Sequence, residues 1–150
     1  MNAEVRTSKS DNSNDRAVDL FIKEHLDLAD PPEEYVDDYE VNWRKEQIDL
    51  GLVLECVDKD QYNKLLGVAT LSLLRNDDSI MLEELVVLEE FRRQGIGKKL
   101  VLAAMRLAQK QGATILDVNS TIEAVGFYQK LEFELLEPIQ EDYTRMQIKL

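Results

Sequence analysis

The chain has 150 residues, 44% hydrophobic and 32% charged, which is enough apolar content for a core and too much for a disordered tail. Thirty acidic against eighteen basic residues give a net charge of −12, which repels phosphate backbones and argues against nucleic acid as a partner. No apolar run approaches the roughly 20 residues that span a bilayer, Met1 to Asp19 lacks a signal-peptide core, and Cys56, the only cysteine, has no partner for an intrachain disulfide.

A single domain over 1–150 is therefore expected, in a reducing, cytoplasmic setting away from membranes. Val5 marks a short strand. Asn12–Asp15 offers helix caps ahead of Ala17, Leu20, Phe21, Glu24 and Leu28, whose spacing predicts a first helix that Pro31-Pro32 stops. Tyr35, Tyr39 and Trp43 recur every four residues and predict a second helix ending near Gly51, with the aromatic stripe packed on a sheet. Leu52–Val57, Leu65–Leu74 and Ser79–Leu88 read as strands of an antiparallel meander. Asp58-Lys59-Asp60 and Arg75-Asn76-Asp77-Asp78 are its turns.

From Gly95 the period becomes helical, with Ile96, Leu100, Ala103, Ala104, Leu107 and Ala108 on one face and Gly112 at the terminus. Thr114–Val118 is a short buried strand, Glu123–Leu131 a further helix, and Tyr143–Leu150 a final alternating strand. The order is helix pair, meander, helix, strand, helix, strand, which is an α+β fold with a mixed sheet.

The segment that carries chemistry runs from strand Met81–Leu88 through Glu89–Gln94 into the helix beginning at Gly95. The first amides of a helix lack intrahelical partners, and the helix dipole places partial positive charge there. Gly95 and Gly97 let an anion approach the backbone, and Arg92, Arg93 and Lys98 invert the local charge of an acidic protein. The loop is neither GxGxxG, since Leu100 stands at the third position, nor GxxxxGK[ST], since only Ile96 separates the glycines. Cys56 lies apart from this segment and reads as a buried strand residue, and His25 as helix surface. No histidine or cysteine cluster suggests a metal.

Arg92-Arg93-Gln94-Gly95-Ile96-Gly97 resembles the [RQ]-x-x-G-x-[GA] signature of the GNAT superfamily of N-acetyltransferases. Ala124-Val125-Gly126-Phe127-Tyr128-Gln129-Lys130-Leu131-Glu132-Phe133 is similar to the family's A-x-x-x-Y-x-K-x-G-F segment. The matching region covers about residues 79–133. Two positions depart from the pattern: Thr121 stands where the family often has Asn, and Glu132 where it usually has Gly. A non-glycine at a left-handed helix end implies a different cap or some strain.

The resemblance implies a mostly antiparallel sheet flanked by helices and splayed at the fourth and fifth strands. It implies acetyl-coenzyme A as co-substrate, with no metal, its pyrophosphate bound by Arg92, Arg93, Gln94, Gly95, Ile96, Gly97 and Lys98 and its pantetheine arm paired with Leu85, Val86 and Val87. A primary amine would be the acceptor, attacking directly in a ternary complex. The general base would be Glu83, on a face shared with Met81 and Leu85, with Glu84 as fallback on the opposite face, and Tyr128 would protonate the thiolate. The family's acceptor channel would be bordered here by Asp30, Glu33, Glu34, Asp37 and Asp38 and by Glu137, Glu141 and Asp142, which suits a cationic amine, small or on a protein. A homodimer is compatible with this reading. Two rivals are a catalytically silent acyl-coenzyme A sensor that regulates a partner and a purely structural interaction module.

Overall fold

The computed structural model of the chain describes residues 1–8, 38–73 and 78–150. The expected first helix, Pro31-Pro32, His25, the acidic residues from Asp30 to Asp37 and most of the Arg75–Asp78 turn lie outside them. Strand β1 is Ala3–Thr7. Helix α1, Asp38–Asp49, is the second half of the expected aromatic helix, and its Trp43 is half-buried. The meander follows as β2, Val53–Asp58, β3, Lys64–Leu73, and β4, Ser79–Val87. Helix α2, Ile96–Lys110, leads to β5, Ile115–Thr121, then α3, Val125–Lys130, the two-residue β6, Glu134–Leu135, and β7, Tyr143–Lys149.

The strands form one sheet in the order β1-β2-β3-β4-β5-β7-β6. Every pairing is antiparallel except β4 with β5, where the α2 crossover makes the strands parallel. This is the mixed, mostly antiparallel sheet that the resemblance implies. On one face α2 and α3 bury Ile96, Leu100, Ala104, Val125 and Tyr128 against Leu66, Leu71, Leu82 and Leu116. On the other, Ile48 of α1 packs with Val53, Val68, Val86 and Leu88. Helix α2 comes close to the sheet because β3 has glycine at residue 67. A Cβ there would sit 2.9 Å from Leu100 Cδ1 and 3.0 Å from the Val86 carbonyl oxygen.

The three α-helices among the described residues end in the same way. In α1 the Leu52 N–H donates to Gln47 O at 2.8 Å and Gly51 N–H to Ile48 O at 2.9 Å. In α2 Ala113 donates to Ala108 at 3.0 Å and Gly112 to Gln109 at 3.0 Å, and in α3 Phe133 donates to Tyr128 at 3.1 Å and Glu132 to Gln129 at 3.0 Å. These are Schellman pairs, which need a left-handed residue just past the helix. Gly51 and Gly112 supply it at φ 73° and 87°, and Glu132 at φ 72°. Of the two outcomes expected at Glu132, the fold keeps the glycine-type cap and accepts the strain. The cap is closed by an edge-to-face contact of Tyr128 with Phe133, ring centroids 5.2 Å apart.

Candidate active site

Strands β4 and β5 run together only from Ser79↔Ile115 to Leu82↔Val118. Beyond Leu82 they part: β5 continues against β7 alone, and β4 continues against β3 alone. The Leu88 N–H donates to Leu66 O at 2.9 Å, so alternation along the antiparallel ladder turns the N–H and C=O of Leu85 and Val87 away from β3, into the gap. A sheet edge of this kind leaves strong backbone donors and acceptors to be met by something other than a strand. The Val87 carbonyl is met by Arg92, whose Nε donates to it at 3.2 Å.

The chain leaves β4 through a 3-10 turn, Glu89–Phe91, and reverses at Arg93, φ 64°, and Gly95, φ 82°, to enter α2. Gly95 is the N-cap and offers no side-chain hydrogen bond, and the first intrahelical bond is from Lys99 N–H to Gly95 O at 3.0 Å. The amides of Ile96, Gly97 and Lys98 are therefore without helical acceptors. Arg92, Arg93 and Lys98 are exposed around them, while Ile96 is buried and anchors the turn in the core. A Cβ on Gly97 would lie 3.4 Å from Phe127 Cζ, so the ring of α3 rests on the first turn of α2. The loop and helix start expected to hold a pyrophosphate thus bring three exposed cations and amides without helical acceptors beside the open edge.

The two glutamates do not occupy opposite faces. The register slips between Thr70 and Leu71: Thr70 faces Glu84, Leu71 faces Leu82, and Glu83 is an extra residue with no partner across the ladder. This β-bulge resets the alternation. Leu82 and Leu85, three residues apart, both pack toward the α2 core, whereas Glu84 lies across from Thr70 on the α1 face. Ser72 and Met81 are also paired on the α1 face, and the Glu83 carboxylate accepts a hydrogen bond from Ser72 Oγ at 2.5 Å. Met81 and Glu83 therefore share a face without Leu85, and Glu84 joins them. Glu83 lies in a cleft of about 210 Å³ that, among the described residues, is also lined by Met81, Leu82, Asn119 and Tyr143.

The sequence model of the acetyltransferase (GNAT) family matches residues 10–133. The chain belongs to the GNAT family. It is 30% identical over 142 residues to an uncharacterized N-acetyltransferase, YvbK, of Bacillus subtilis, covering 93% of this chain and 80% of that protein. Among solved structures, the PaiA N-acetyltransferase of Thermoplasma acidophilum in complex with coenzyme A aligns over 100% of both chains, with a TM-score of 0.74 and 18% identity. The NatC complex bound to Gag peptide and CoA aligns over 100% of this chain and 99% of that one, with a TM-score of 0.78 and 17% identity. At such identities the likeness is one of fold.

Within this GNAT domain Tyr128 sits on the α2 and α3 face, opposite Glu83 and Glu84. It is 5% exposed, and its ring contacts Phe127 and Phe133. Burial holds its phenol well above the ordinary tyrosine value, and the hydroxyl has no hydrogen-bond partner among the described residues. Cys56 is fully buried, as expected, and burial raises its thiol against the weaker opposing pull of Lys99. Of the acidic residues expected along an acceptor channel, Glu137 is occupied by Arg145, accepting from its backbone N–H at 3.0 Å and its Nε at 3.4 Å. Glu141 and Asp142 are exposed beside Tyr143. Asn119, Tyr143 and Ser72 went unmarked in the sequence because no motif contains them. Their shared face follows only from the β3–β4, β4–β5 and β5–β7 registers.

No group of three or more potential metal ligands occurs among the described residues. None of their helices is long and apolar enough to cross a membrane.

Proposed function

We propose that the protein transfers the acetyl group of acetyl-coenzyme A directly to a primary amine while both substrates are bound. The observation that carries this reading is the β4 edge at Leu85 and Val87, open except for the Val87 carbonyl that Arg92 meets. It runs into a helix start without a side-chain cap beside Arg92, Arg93 and Lys98. An amide-bearing arm needs the backbone donors and acceptors of such an edge, as an added strand would. A pyrophosphate needs free amides and cations, which Gln94, Gly95, Ile96, Gly97 and the three basic residues supply. The relatives solved with coenzyme A support the same assignment.

Bound acetyl-coenzyme A supplies an activated acetyl group as a thioester. The protein's part is proton transfer and charge stabilisation. A primary amine is an ammonium ion at neutral pH and cannot attack until it loses a proton. Glu83 Oε2, in the cleft, takes that proton directly or through water, and Glu84 is the fallback on the same face. Backbone N–H groups of the open edge stabilise negative charge on the carbonyl oxygen. The nitrogen–carbon bond forms as the carbon–sulfur bond breaks. Tyr128, kept protonated by burial, gives its proton to the leaving sulfur, and the proton shed by the acylated nitrogen restores the phenol.

The cleft also speaks to the acceptor. Among the described residues that line it, Glu83 is the one carboxylate, beside an amide, a phenol and the apolar Met81. That lining favours an ammonium on an otherwise modestly polar body, and the acidic chain around it favours a cation.

The test is titration calorimetry with acetyl-coenzyme A, followed by thiol release with a pool of butylamine, 2-phenylethylamine, spermidine and an alanyl peptide. Binding with release is expected. Binding without release across the pool would favour the sensor reading, and absence of binding would overturn the proposal.

A further inference from the structure

We propose that Ser72 is a positioning residue for Glu83, its hydroxyl holding the carboxylate turned into the cleft. The inference rests on the reading of Glu83 as general base and goes one residue beyond it.

The bulge creates the need. A residue in a regular ladder has its side chain directed by the pleat and by the neighbour across from it. Glu83 has no such neighbour, because Leu71 faces Leu82 and Thr70 faces Glu84. Its backbone therefore does not fix where its carboxylate points. The described residues give it one hydrogen-bond donor, Ser72 Oγ at 2.5 Å, which pairs across β3 with Met81, another wall of the cleft. A hydroxyl bound to a carboxylate is a short, charge-assisted contact. It occupies Oε1 and leaves Oε2 for the substrate's proton. Other ionisable or charged groups on this face of the described sheet are Glu84, Asp117, Tyr143 and Arg145 nearby and, farther along the sheet, Arg6, Glu55 and Glu134. Of these, Arg145 is engaged by Glu137, and Asp117 accepts a hydrogen bond from the Ser79 side chain.

Ser72→Ala should lower kcat roughly three- to tenfold, a discounted value for a hydrogen bond to an exposed charge, with KM for acetyl-coenzyme A unchanged. Ser72→Thr keeps the hydroxyl on a strand-favouring side chain and should restore the rate. The decisive experiment is a cycle with Glu83→Gln in the thiol-release assay, joined by the 13C resonance of the Glu83 carboxyl at a fixed pH of about 8.

If Ser72 acts through Glu83, Ser72→Ala costs nothing further in the Glu83→Gln background. The carboxyl resonance then moves in Ser72→Ala and returns in Ser72→Thr. An equal loss in both backgrounds, or an unmoved resonance, would overturn the role of Ser72 and leave Glu83 as base. Full turnover in Glu83→Gln alone would instead remove the base. The resonance needs no acceptor, so it decides the contact even if the amine pool is poor.

Discussion

Tyr128 and Glu132 are two residues at which local energetics and chemistry pull apart. The Tyr128 hydroxyl is buried without a hydrogen-bond partner among the described residues, a state that costs about 1–3 kcal/mol relative to an apolar group of the same shape. Tyr128→Phe should therefore melt no lower than the parent, and up to a few degrees higher, in calorimetry. Its turnover should fall on the order of 10²-fold with acetyl-coenzyme A affinity kept. Full activity in that variant would remove Tyr128 from the acid role. Glu132 holds φ 72° at a cap where α1 and α2 use glycine. Glu132→Gly should stabilise by about 1 kcal/mol, less a few tenths for the looser unfolded chain, read as a higher denaturant midpoint.

Asp117 is a third such residue. Burial raises its carboxyl above the ordinary 3.8, opposed by the Ser79 hydroxyl and the Arg145 charge. The folded state thus holds this proton more tightly than the unfolded one, so the group favours folding at low pH and loses that contribution as pH rises through the raised value. Asp117→Asn should be neutral below the ordinary value and increasingly stabilising above it, which melting curves between pH 3.5 and 7 would follow.

Among the elements, those whose sequence pattern is local were legible, and those set by pairing were not. The α2 stripe, its glycine end and the three-strand meander were read from periodicity and turn residues, because each reports a face that must be buried. The bulge was not, since Met81 to Val87 contains no glycine to announce it. Strict alternation consequently placed Glu83 and Glu84 on opposite faces, when tertiary register puts them on one. The cleft was hidden for the same reason: Asn119 and Tyr143 come from strands whose neighbours only the fold decides. The loop was legible because its chemistry is local: two glycines and three cations within seven residues, Arg92 to Lys98. Gly67 ties sheet to helix. Gly67→Ala should force Leu100 or the Val86 carbonyl to move and cost about 1–3 kcal/mol. It should also weaken acetyl-coenzyme A binding by shifting the α2 start, and a variant with unchanged melting and unchanged affinity would contradict that coupling.

For the whole molecule, base and acid candidates stand on opposite faces of one sheet, and the gap between β4 and β5 is the opening through that sheet. A cofactor arm laid along β4 would stand in for the missing strand. Acetyl-coenzyme A should accordingly slow amide hydrogen exchange at Leu85 and Val87 while leaving Val86 unchanged, because Val86 already pairs with β3. It should also raise the melting temperature in proportion to the logarithm of its concentration. Equal protection along the strand would argue against strand-like binding.

Glu83 enters β4 as one inserted letter enters a reading frame. Delete it, and Leu82 would join Glu84 directly. The ladder would then run from Leu73↔Ile80 to Gly67↔Val87 without a slip, every apolar side chain keeping the face it has now. The hydrophobic text of the strand is written as if that residue were absent. A chain lacking it should fold at least as firmly and zip β4 onto β5 past Val118. It should bind no acetyl-coenzyme A: a sound sheet with its doorway sewn shut.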